Sequence, residues 1–232
     1  MPDRVLVIVA HPDDIDFGCA GTVATMTDHG VEVIYAIVTD GDAGEPADLA
    51  ASDLKAIRRA EQTEAARIVG VEELHWLGFP DGALVADLVL RKALARLIRR
   101  VRPDLVITQP PVRDLDRIYA SHPDHLAVGE ATVCAVYPDA RNARSFPDLL
   151  DDGCAPHTVP RLWLMGGPSA NLHVEISAAF ERKVAALRAH HSQNDSRGEG
   201  LEAMIRDWVT STAERVGLPG AMVEGFRSVD TA

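Results

Sequence analysis

Two short clusters of histidine and aspartate hold the residue types in this chain that are best able to do chemistry. The first cluster directly follows an apolar run and reads His11, Pro12, Asp13, Asp14. Two adjacent carboxylates beside an imidazole repel each other unless a cation or solvent compensates their charge. The first cluster therefore indicates a bound metal ion, with a solvated turn as the alternative, because proline and aspartate are ordinary turn residues.

The second cluster lies far along the chain and favours the metal site over the turn. It reads Ser121, His122, Pro123, Asp124, His125. Proline suits the first position of a helix, so His122 would cap the helix and His125 would lie one turn later, facing the same space. Three nitrogen or oxygen ligands plus water are typical of a catalytic zinc site, and His11, Asp14 and His125 would supply them. Another divalent transition metal would suit the same donors.

Alternating apolar strands and helical patterns predict the scaffold that brings these clusters together. Strands are predicted at residues 4–10, 31–38, 74–77, 105–108, 161–165 and 173–176. Helices are predicted at residues 22–29, 52–69, 85–100, 123–136, 177–191 and 201–216. The pattern is typical of an α/β fold with a Rossmann-like, mostly parallel sheet and helices on both faces, in a single domain over residues 1–232. Ligands of such sheets bind at the carboxyl ends of the strands, where the first cluster lies.

Glycines and polar residues predict where these elements begin and end. Gly30 and Gly70 are expected to end two of the helices, and Ser52 is expected to be the N-cap of the helix that ends at Gly70. Residues 137–160 are rich in proline, aspartate and glycine and have no clear period. This composition predicts a surface excursion or a rim to the site.

Charge and cysteine content exclude several classes of protein. Lys and Arg number 23 against 35 Asp and Glu, for a net charge of −12. This charge repels nucleic acids and acidic membranes, so neither is an expected partner. The three cysteines contain no Cys-x-x-Cys pair, which favours reduced thiols in the cytoplasm. With no apparent export signal or spanning apolar run, we expect a soluble cytoplasmic protein, and a homo-oligomer is compatible with the sequence.

With these motifs the chain resembles the zinc-dependent N-acetylglucosaminyl deacetylases of the PIG-L/LmbE type. The resemblance is carried by Ala10, His11, Pro12, Asp13, Asp14, Gly18, Gly21, Thr22, His122, Pro123, Asp124 and His125. Weaker similarities extend almost to the C-terminus, at residues 39–41, 58, 61, 77–82, 183–187, 190, 192–193 and 224–227. The resemblance therefore covers the whole chain.

The resemblance implies a role for each residue of the two clusters. His11, Asp14 and His125 would bind zinc, Asp13 would be the general base, and His122 would polarise the reacting carbonyl. A zinc ion can bring the pKa of water to about 7, and a free carboxylate beside it can accept the proton and return it to the leaving amine. A protonated His122 would then stabilise the oxyanion together with the metal.

Further residues are assigned to the surroundings of the reacting groups. Asp124 is expected to orient a histidine. Arg58, Asp81 and Asp16 are the candidates for substrate binding, although Arg58 could instead form a solvated helix pair with Glu61, and a turn alone would explain Asp81. Family members often carry Glu at the position of Ile15, and some carry Tyr at that of Ala120. These departures predict different contacts to the substrate.

Three alternative functions remain open at this point. Asp14-Ile15-Asp16 is similar to the D-x-D motif of haloacid-dehalogenase-type phosphatases, but that chemistry would leave the histidines unused. The alternation of strands and helices also fits a nucleotide-binding module, although the segment at residues 18–21 is not a G-x-G-x-x-G sequence. A non-catalytic metal-binding relative is the third possibility. The leading hypothesis is a zinc amidohydrolase that removes acetyl from a small N-acetylated amino sugar or related glycoconjugate.

Overall fold

A seven-stranded sheet forms the centre of the protein in a computed structural model that describes residues 1–116, 118–167, 169–198 and 200–232. The strands are β1 (Arg4–Val9), β2 (Glu32–Thr39), β3 (Glu73–Phe79), β4 (Leu105–Thr108), β5 (Arg161–Met165), β6 (Leu172–Glu175) and β7 (Val223–Asp230). The α-helices are α1 (Asp14–Gly18), α2 (Ala20–Asp28), α3 (Ala51–Ile68), α4 (Leu88–Val101), α5 (Pro123–Cys134), α6 (Asp148–Asp151), α7 (Phe180–Ala189), α8 (His191–Asn194) and α9 (Gly200–Arg215).

The strand order creates a crevice beside β1. The order across the sheet is β3-β2-β1-β4-β5-β7-β6, and the first five of these strands are mutually parallel. Strand β7 is antiparallel to both of its neighbours. Because the chain moves outward from β1 to β3 and then returns to place β4 on the other side of β1, the order reverses between β1 and β4. Such a reversal is where ligands bind in open α/β sheets.

Side chains of β1 alternate between two core layers. Val5, Val7 and Val9 face a layer that includes residues of α2, α3 and α7. Leu6 and Ile8 face the opposite layer, which includes residues of α4 and α5. Strand β1 is thus covered on both faces, and this explains its continuous apolar sequence. The predicted Rossmann-like sheet with helices on both faces is confirmed.

Several predicted boundaries were wrong because local signals competed with tertiary packing. The first helical region begins at Asp14 as the short helix α1, rather than at residue 22. Helix α3 has Ala50 as its N-cap, and Ser52 lies inside the helix. Helix α4 begins at Leu88 because the side chain of Asp87 accepts hydrogen bonds from the second and third N–H groups after it. The sequence also failed to predict β7, whose polar residues and internal glycine obscure the strand pattern.

The segment at residues 137–160 runs mostly over the surface, as predicted, but a few of its residues anchor it in the core. Leu149 and Val159 within it are fully buried. Arg99 on α4 is 2% exposed and donates to five backbone carbonyls of the segment. One guanidinium therefore satisfies carbonyl groups that have no regular ladder to join, which allows an irregular chain to be anchored there.

Two further features concern the thiols and the helices. Cys19, Cys134 and Cys154 are all free, and burial raises the pKa of Cys19 well above its usual range. Cys19 is therefore protonated at neutral pH and acts as a small apolar residue of the core. Among the described residues, every helix is too short or too polar to cross a bilayer.

Candidate active site

The first cluster follows β1 at a point where the strand end is tied to both neighbours. The backbone N–H of Ala10 donates to Oε1 of Gln109, which follows β4. The carbonyl oxygen of Ala10 accepts hydrogen bonds from the N–H and the hydroxyl of Thr39, the last residue of β2. His11 then donates its backbone N–H to Oδ2 of Asp14 at 2.7 Å, which closes the turn into α1. These bonds place the imidazole and both carboxylates at the crevice.

The second cluster enters the crevice at the start of α5. Pro123 occupies the first turn and His122 is the N-cap, as predicted; Nδ1 of His122 accepts a hydrogen bond from the N–H of Asp124 at 3.2 Å. The ring centroids of His11, His122 and His125 lie 5.1 to 5.4 Å apart. The tertiary structure therefore brings together two clusters from distant parts of the chain.

Three side chains form a triangle suited to a divalent metal, with the two carboxylate oxygens of Asp14 at one corner. Nδ1 of His11 lies 3.2 Å from Nε2 of His125 and 3.5 Å from Oδ2 of Asp14. Nε2 of His125 lies 3.0 Å from Oδ1 of Asp14. Tetrahedral ligands at zinc–ligand distances near 2.0–2.1 Å would be about 3.3 Å apart. His122 also lies within reach, since His11, His122 and His125 form a group that could hold a metal ion.

Two carboxylates hold the opposite side of the His11 ring. Its Nε2 atom lies 3.0 Å from Oδ1 of Asp81 and 3.3 Å from Oδ2 of Asp124. Both are acceptors, so Nε2 carries a proton, and Nδ1 on the triangle side is the atom that would lose its proton to bind a metal. Asp124 also accepts the backbone N–H groups of Gly82 and Leu84. Asp124 therefore lies where it can orient a histidine.

Asp81 was predicted as a substrate ligand, and the structure gives it other partners. One oxygen contacts His11, and the other accepts the backbone N–H of Ala43 at 2.9 Å. Its side chain is only 7% exposed. Because both oxygens already have protein partners, Asp81 is placed to support His11.

Arg58 lies behind Asp13, buried to 5% exposure, rather than on a solvated helix face. Its Nη2 atom is 3.4 Å from Oδ2 of Asp13 and donates to the carbonyl of Pro12 at 2.9 Å. Its Nη1 atom donates to the carbonyl of Gly41. The predicted alternative of a solvated pair with Glu61 is wrong, since the carboxylate of Glu61 accepts hydrogen bonds from Ser192 instead.

Asp16 is fully buried, which corrects the prediction that it binds substrate, and Ile15 beside it is fully buried as well. Oδ2 of Asp16 accepts hydrogen bonds from Gln62 and from His190. This placement also removes the phosphatase alternative, which requires both aspartates of the D-x-D motif to face the ligand. Sequence reasoning missed Gln62, although it lies four residues after Arg58 and so on the same face of α3.

Asp40 and Asp42 lie in an acidic loop of a kind that can bind a second cation. Protein cations occupy the carboxylate of Asp40 instead. Its carboxylate binds Lys55 and Arg59. These two cations supply the neutralising charge, and they lower the pKa of Asp40 against the raising effect of burial.

The carboxylates of the first cluster differ in their affinity for protons. Burial raises the pKa of Asp13 to about 6, although the positive charge of Arg58 opposes this effect. Burial would also raise the pKa of Asp14, but the charges of His125 and His11 outweigh it and hold that pKa well below its usual range. One carboxylate is therefore a stable anion suited to a cation, while the other can exchange a proton near neutral pH.

The three imidazoles also differ. Burial alone would lower the pKa of His11, but the carboxylates of Asp124, Asp14 and Asp81 raise it to about 12. Asp14 likewise raises the pKa of His125 against the effect of burial. These upward pKa shifts indicate a negative pocket that stabilises positive charge, whether carried by protons or by a metal ion.

The surroundings of His122 disfavour the imidazolium that was predicted at this position. Partial burial and the positive charges of His11 and His125 lower its pKa. Its Nδ1 atom is occupied as an acceptor by the N–H of Asp124, so the single ring proton lies on Nε2. His122 is solvent-exposed and can donate this proton in a hydrogen bond to a ligand.

The predicted site residues lie apart from two cavities elsewhere in the protein. A groove of about 900 Å³ lies between α4 and the amino ends of β1, β2 and β3, opposite the crevice. A second cavity of about 390 Å³ is lined by α9 and by the strand β7. Cavity volume would therefore not have located the two histidine clusters.

Several known proteins with similar sequences and structures are deacetylases. A diacetylchitobiose deacetylase from Thermococcus kodakarensis is 33% identical over 195 residues, which cover 82% of this chain and 70% of that protein. A probable N-acetyl-alpha-D-glucosaminyl L-malate deacetylase 2 from Bacillus cereus is 32% identical over 214 residues, covering 89% of this chain and 91% of that protein. The structure of an N,N'-diacetylchitobiose deacetylase from Pyrococcus horikoshii matches with a TM-score of 0.90 at 32% identity, covering 99% of this chain and 85% of that one.

These relatives define the class of protein as an N-deacetylase, a hydrolase of amide bonds, and confirm that prediction. The PIG-L family model, described as GlcNAc-PI de-N-acetylase, matches residues 6–136, more than half of the chain. The chain belongs to the PIG-L family. Both histidine clusters lie within the matched region.

Proposed function

We propose that His11, Asp14 and His125 hold a catalytic zinc ion, and that the enzyme hydrolyses the acetamide of an N-acetylated amino sugar. The observation that carries this proposal is the triangle of donor atoms, 3.0 to 3.5 Å apart, beside the proton-exchanging carboxylate of Asp13. Two neutral imidazoles and one carboxylate suit zinc, and another divalent transition metal would also fit these donors. When bound, zinc supplies the charge that acidifies water and polarises a carbonyl.

Asp13 is the general base in this scheme. Its pKa of about 6 leaves it mostly ionised at neutral pH, so it can accept a proton as water oxygen attacks the acetamide carbon. The tetrahedral intermediate then collapses as its carbon–nitrogen bond breaks, and Asp13 returns the proton to the leaving nitrogen. Acetate and a free amine are the products, and the carboxylate is regenerated.

His122 stabilises the oxyanion of the tetrahedral intermediate as a neutral donor. The proton on Nε2 can form a hydrogen bond to the developing negative charge. A neutral imidazole is compatible with this role because a donor aimed at the oxyanion needs no net charge. The hydrogen bond from Asp124 to Nδ1 fixes which nitrogen carries the proton.

The substrate class follows from the relatives, whose names specify N-acetylated glucosamine derivatives. We infer a small glycoconjugate with an N-acetylglucosaminyl unit as substrate, without transferring the attached group. Arg58 contributes by its contact with Asp13, and Asp81 by its contact with His11. The buried Asp16 contributes through its hydrogen bonds to Gln62 and His190.

Two substitutions and a metal measurement test this function. Asp13→Asn is expected to retain about one metal ion per chain and to lose acetate release from a panel of N-acetylglucosaminides. His125→Ala is expected to lose both the metal and the activity. Asp53→Asn, an exposed aspartate on α3, is the matched control and should keep both. Full activity of Asp13→Asn would refute the assigned base, and full metal content in His125→Ala would refute the ligand set.

A further inference from the structure

We propose that Gln62, Asp16 and His190 form a positioning device that holds the backbone of Asp13 and so aims its carboxylate. This inference rests on the proposed role of Asp13 as general base. The hydrogen bonds of these side chains link the three residues to one another and to the backbone of Asp13. They act through one backbone hydrogen bond to the residue that carries out proton transfer.

Asp13 has a backbone conformation that needs external support. Its φ is 79° and its ψ is −22°, in the left-handed region that non-glycine residues rarely adopt. Such strain persists only where the surroundings enforce it, and it is concentrated at functional sites. The direction of the carboxylate depends on this conformation, because a change of φ turns the side chain about the N–Cα bond.

Gln62 binds the backbone of Asp13 directly. The N–H of Asp13 donates to Oε1 of Gln62 at 2.8 Å. The other end of the amide, Nε2, donates to Oδ2 of Asp16 at 2.9 Å. If the Gln62 amide were turned by half a turn, its NH₂ group would face the N–H of Asp13 and its oxygen would face the carboxylate of Asp16. Both contacts would be unfavourable, so Asp16 fixes the orientation of Gln62.

His190 holds Asp16 from the far end of the chain. Its Nε2 atom lies 2.8 Å from the same Oδ2, and both side chains are completely buried. Burial would lower the pKa of His190, but its hydrogen bond to Asp16 and the charge of that residue raise it. His190 ends α7, and 174 positions separate it from Asp16.

Burying the polar groups of this device costs more free energy than burying apolar side chains in their place. Oδ1 of Asp16 and Nδ1 of His190 have no hydrogen-bond partner among the described residues. Buried polar atoms without a hydrogen-bond partner cost free energy that apolar side chains of similar volume would not. A core that served only packing would therefore gain from replacing the pair. The need to orient Gln62, and through it Asp13, accounts for the presence of the pair.

Arg58 secures the adjacent peptide group from the same helix. It donates to the carbonyl of Pro12 at 2.9 Å, while Gln62, four residues later on α3, accepts the N–H of Asp13. The two sides of the peptide bond between Pro12 and Asp13 are thus both bound by α3. Helix α3 therefore fixes the plane of this peptide group as well as the direction of the Asp13 side chain.

Steady-state kinetics of Gln62→Met test the proposal, with the metal content measured on the same samples. Gln62→Met removes the acceptor while keeping an unbranched side chain of similar length. We expect kcat to fall on the order of 10–100-fold, as for a small misplacement of a reacting group, with KM and metal content close to those of the unchanged enzyme.

A second pair of variants addresses the far end of the device. His190→Gln keeps an N–H donor for Asp16, and His190→Leu does not. We expect His190→Gln to retain most of the kcat and His190→Leu to lose it to a similar extent as Gln62→Met. Ile205→Ala, in the apolar core beside α7, controls for loss of stability, and it should lower the Tm while leaving kcat unchanged.

The outcomes separate this proposal from the proposed function. If Asp13→Asn is inactive but Gln62→Met keeps the kcat of the unchanged enzyme, the positioning role is wrong and the general base stands. The same conclusion follows if the two His190 variants have equal kcat values, or if Ile205→Ala lowers kcat as strongly as Gln62→Met. If Asp13→Asn is fully active, the general base itself is wrong, whatever the Gln62 variant does.

Discussion

The Nδ1 atom of His122 accepts a hydrogen bond from the backbone N–H of Asp124, so the imidazole is at once the cap of α5 and a donor of defined tautomer. Capping satisfies one of the free N–H groups at the start of the helix. The same bond leaves the ring proton on Nε2. One contact therefore couples the stability of α5 to the chemistry of the site.

His122→Asn should separate these two roles. Asparagine is a preferred N-cap, so the free energy of unfolding should stay close to that of the unchanged protein. Its shorter amide cannot replace the Nε2 donor, and kcat should fall about 10²–10³-fold. His122→Ala should lose the same activity and also about 0.5–2 kcal/mol of stability. Kinetics and urea unfolding of both variants check this, and an active His122→Asn enzyme would remove the oxyanion role.

Arg58→Gln should move the acidic limb of the kcat/KM profile to higher pH. Burial raises the pKa of Asp13 to about 6, while the charge of Arg58 lowers it. The base acts only when ionised, so losing this charge should raise the pKa by about one pH unit and remove activity at a higher pH than before.

Arg58→Lys is the matched control, because it keeps a positive charge and should leave the limb near its original pH. The proposed metal ion lowers the pKa of Asp13 in the unchanged enzyme and in both Arg58 variants. The quantity to measure is therefore the difference between their kcat/KM profiles against pH. Coincident acidic limbs for the Gln and Lys variants would show that the charge of Arg58 does not act on the base.

Asp124→Asn should weaken metal binding and also destabilise the fold. Its carboxylate accepts the N–H groups of Gly82 and Leu84 and lies 3.3 Å from Nε2 of His11. An amide has only one acceptor oxygen and no charge, so we expect a loss of about 1–3 kcal/mol and metal affinity about 10–100-fold lower. Asp81→Asn should lower the metal affinity with a smaller loss of stability. Chelator competition and urea unfolding measure the two effects, and equal unfolding curves for both variants would contradict the difference.

Gly129→Ala should disturb the placement of α5. A Cβ atom at Gly129 would lie 2.5 Å from the carbonyl oxygen of Gln109 and 2.9 Å from the carbonyl carbon of Pro110. These are backbone atoms that cannot move independently, so α5 must shift away from the end of β4 and carry its histidines with it. We expect metal affinity and the free energy of unfolding to fall together.

Gly18→Ala provides the comparison for this effect. Its Cβ would come within 2.3 Å of Sδ of Met165, which belongs to a flexible side chain that can change rotamer. The cost should therefore be smaller, and the metal affinity should be little changed. Equal losses of metal affinity in the two variants would show that the approach of α5 to β4 does not set the geometry of the site.

Parts of the fold and site could be predicted because their signals are local. The apolar run of β1 and the proline at the start of α5 predicted both elements correctly, since a buried strand and a first helical turn constrain residue type directly. The strand β7 could not be predicted in this way. Its position and register come from pairing with β5 and β6, which lie far from it in sequence.

The amino-acid sequence alone determined the alternation of strands and helices, the two clusters, and the donor types that suit a divalent ion, because each of these depends on neighbouring residues. Only the tertiary structure decided which polar groups are free to react. Burial raises the pKa of Asp13 to about 6, while Asp16 is bonded to Gln62 and to His190, 174 positions away. Burial and hydrogen-bond partners set proton affinity, and both depend on segments that meet only when the chain has folded.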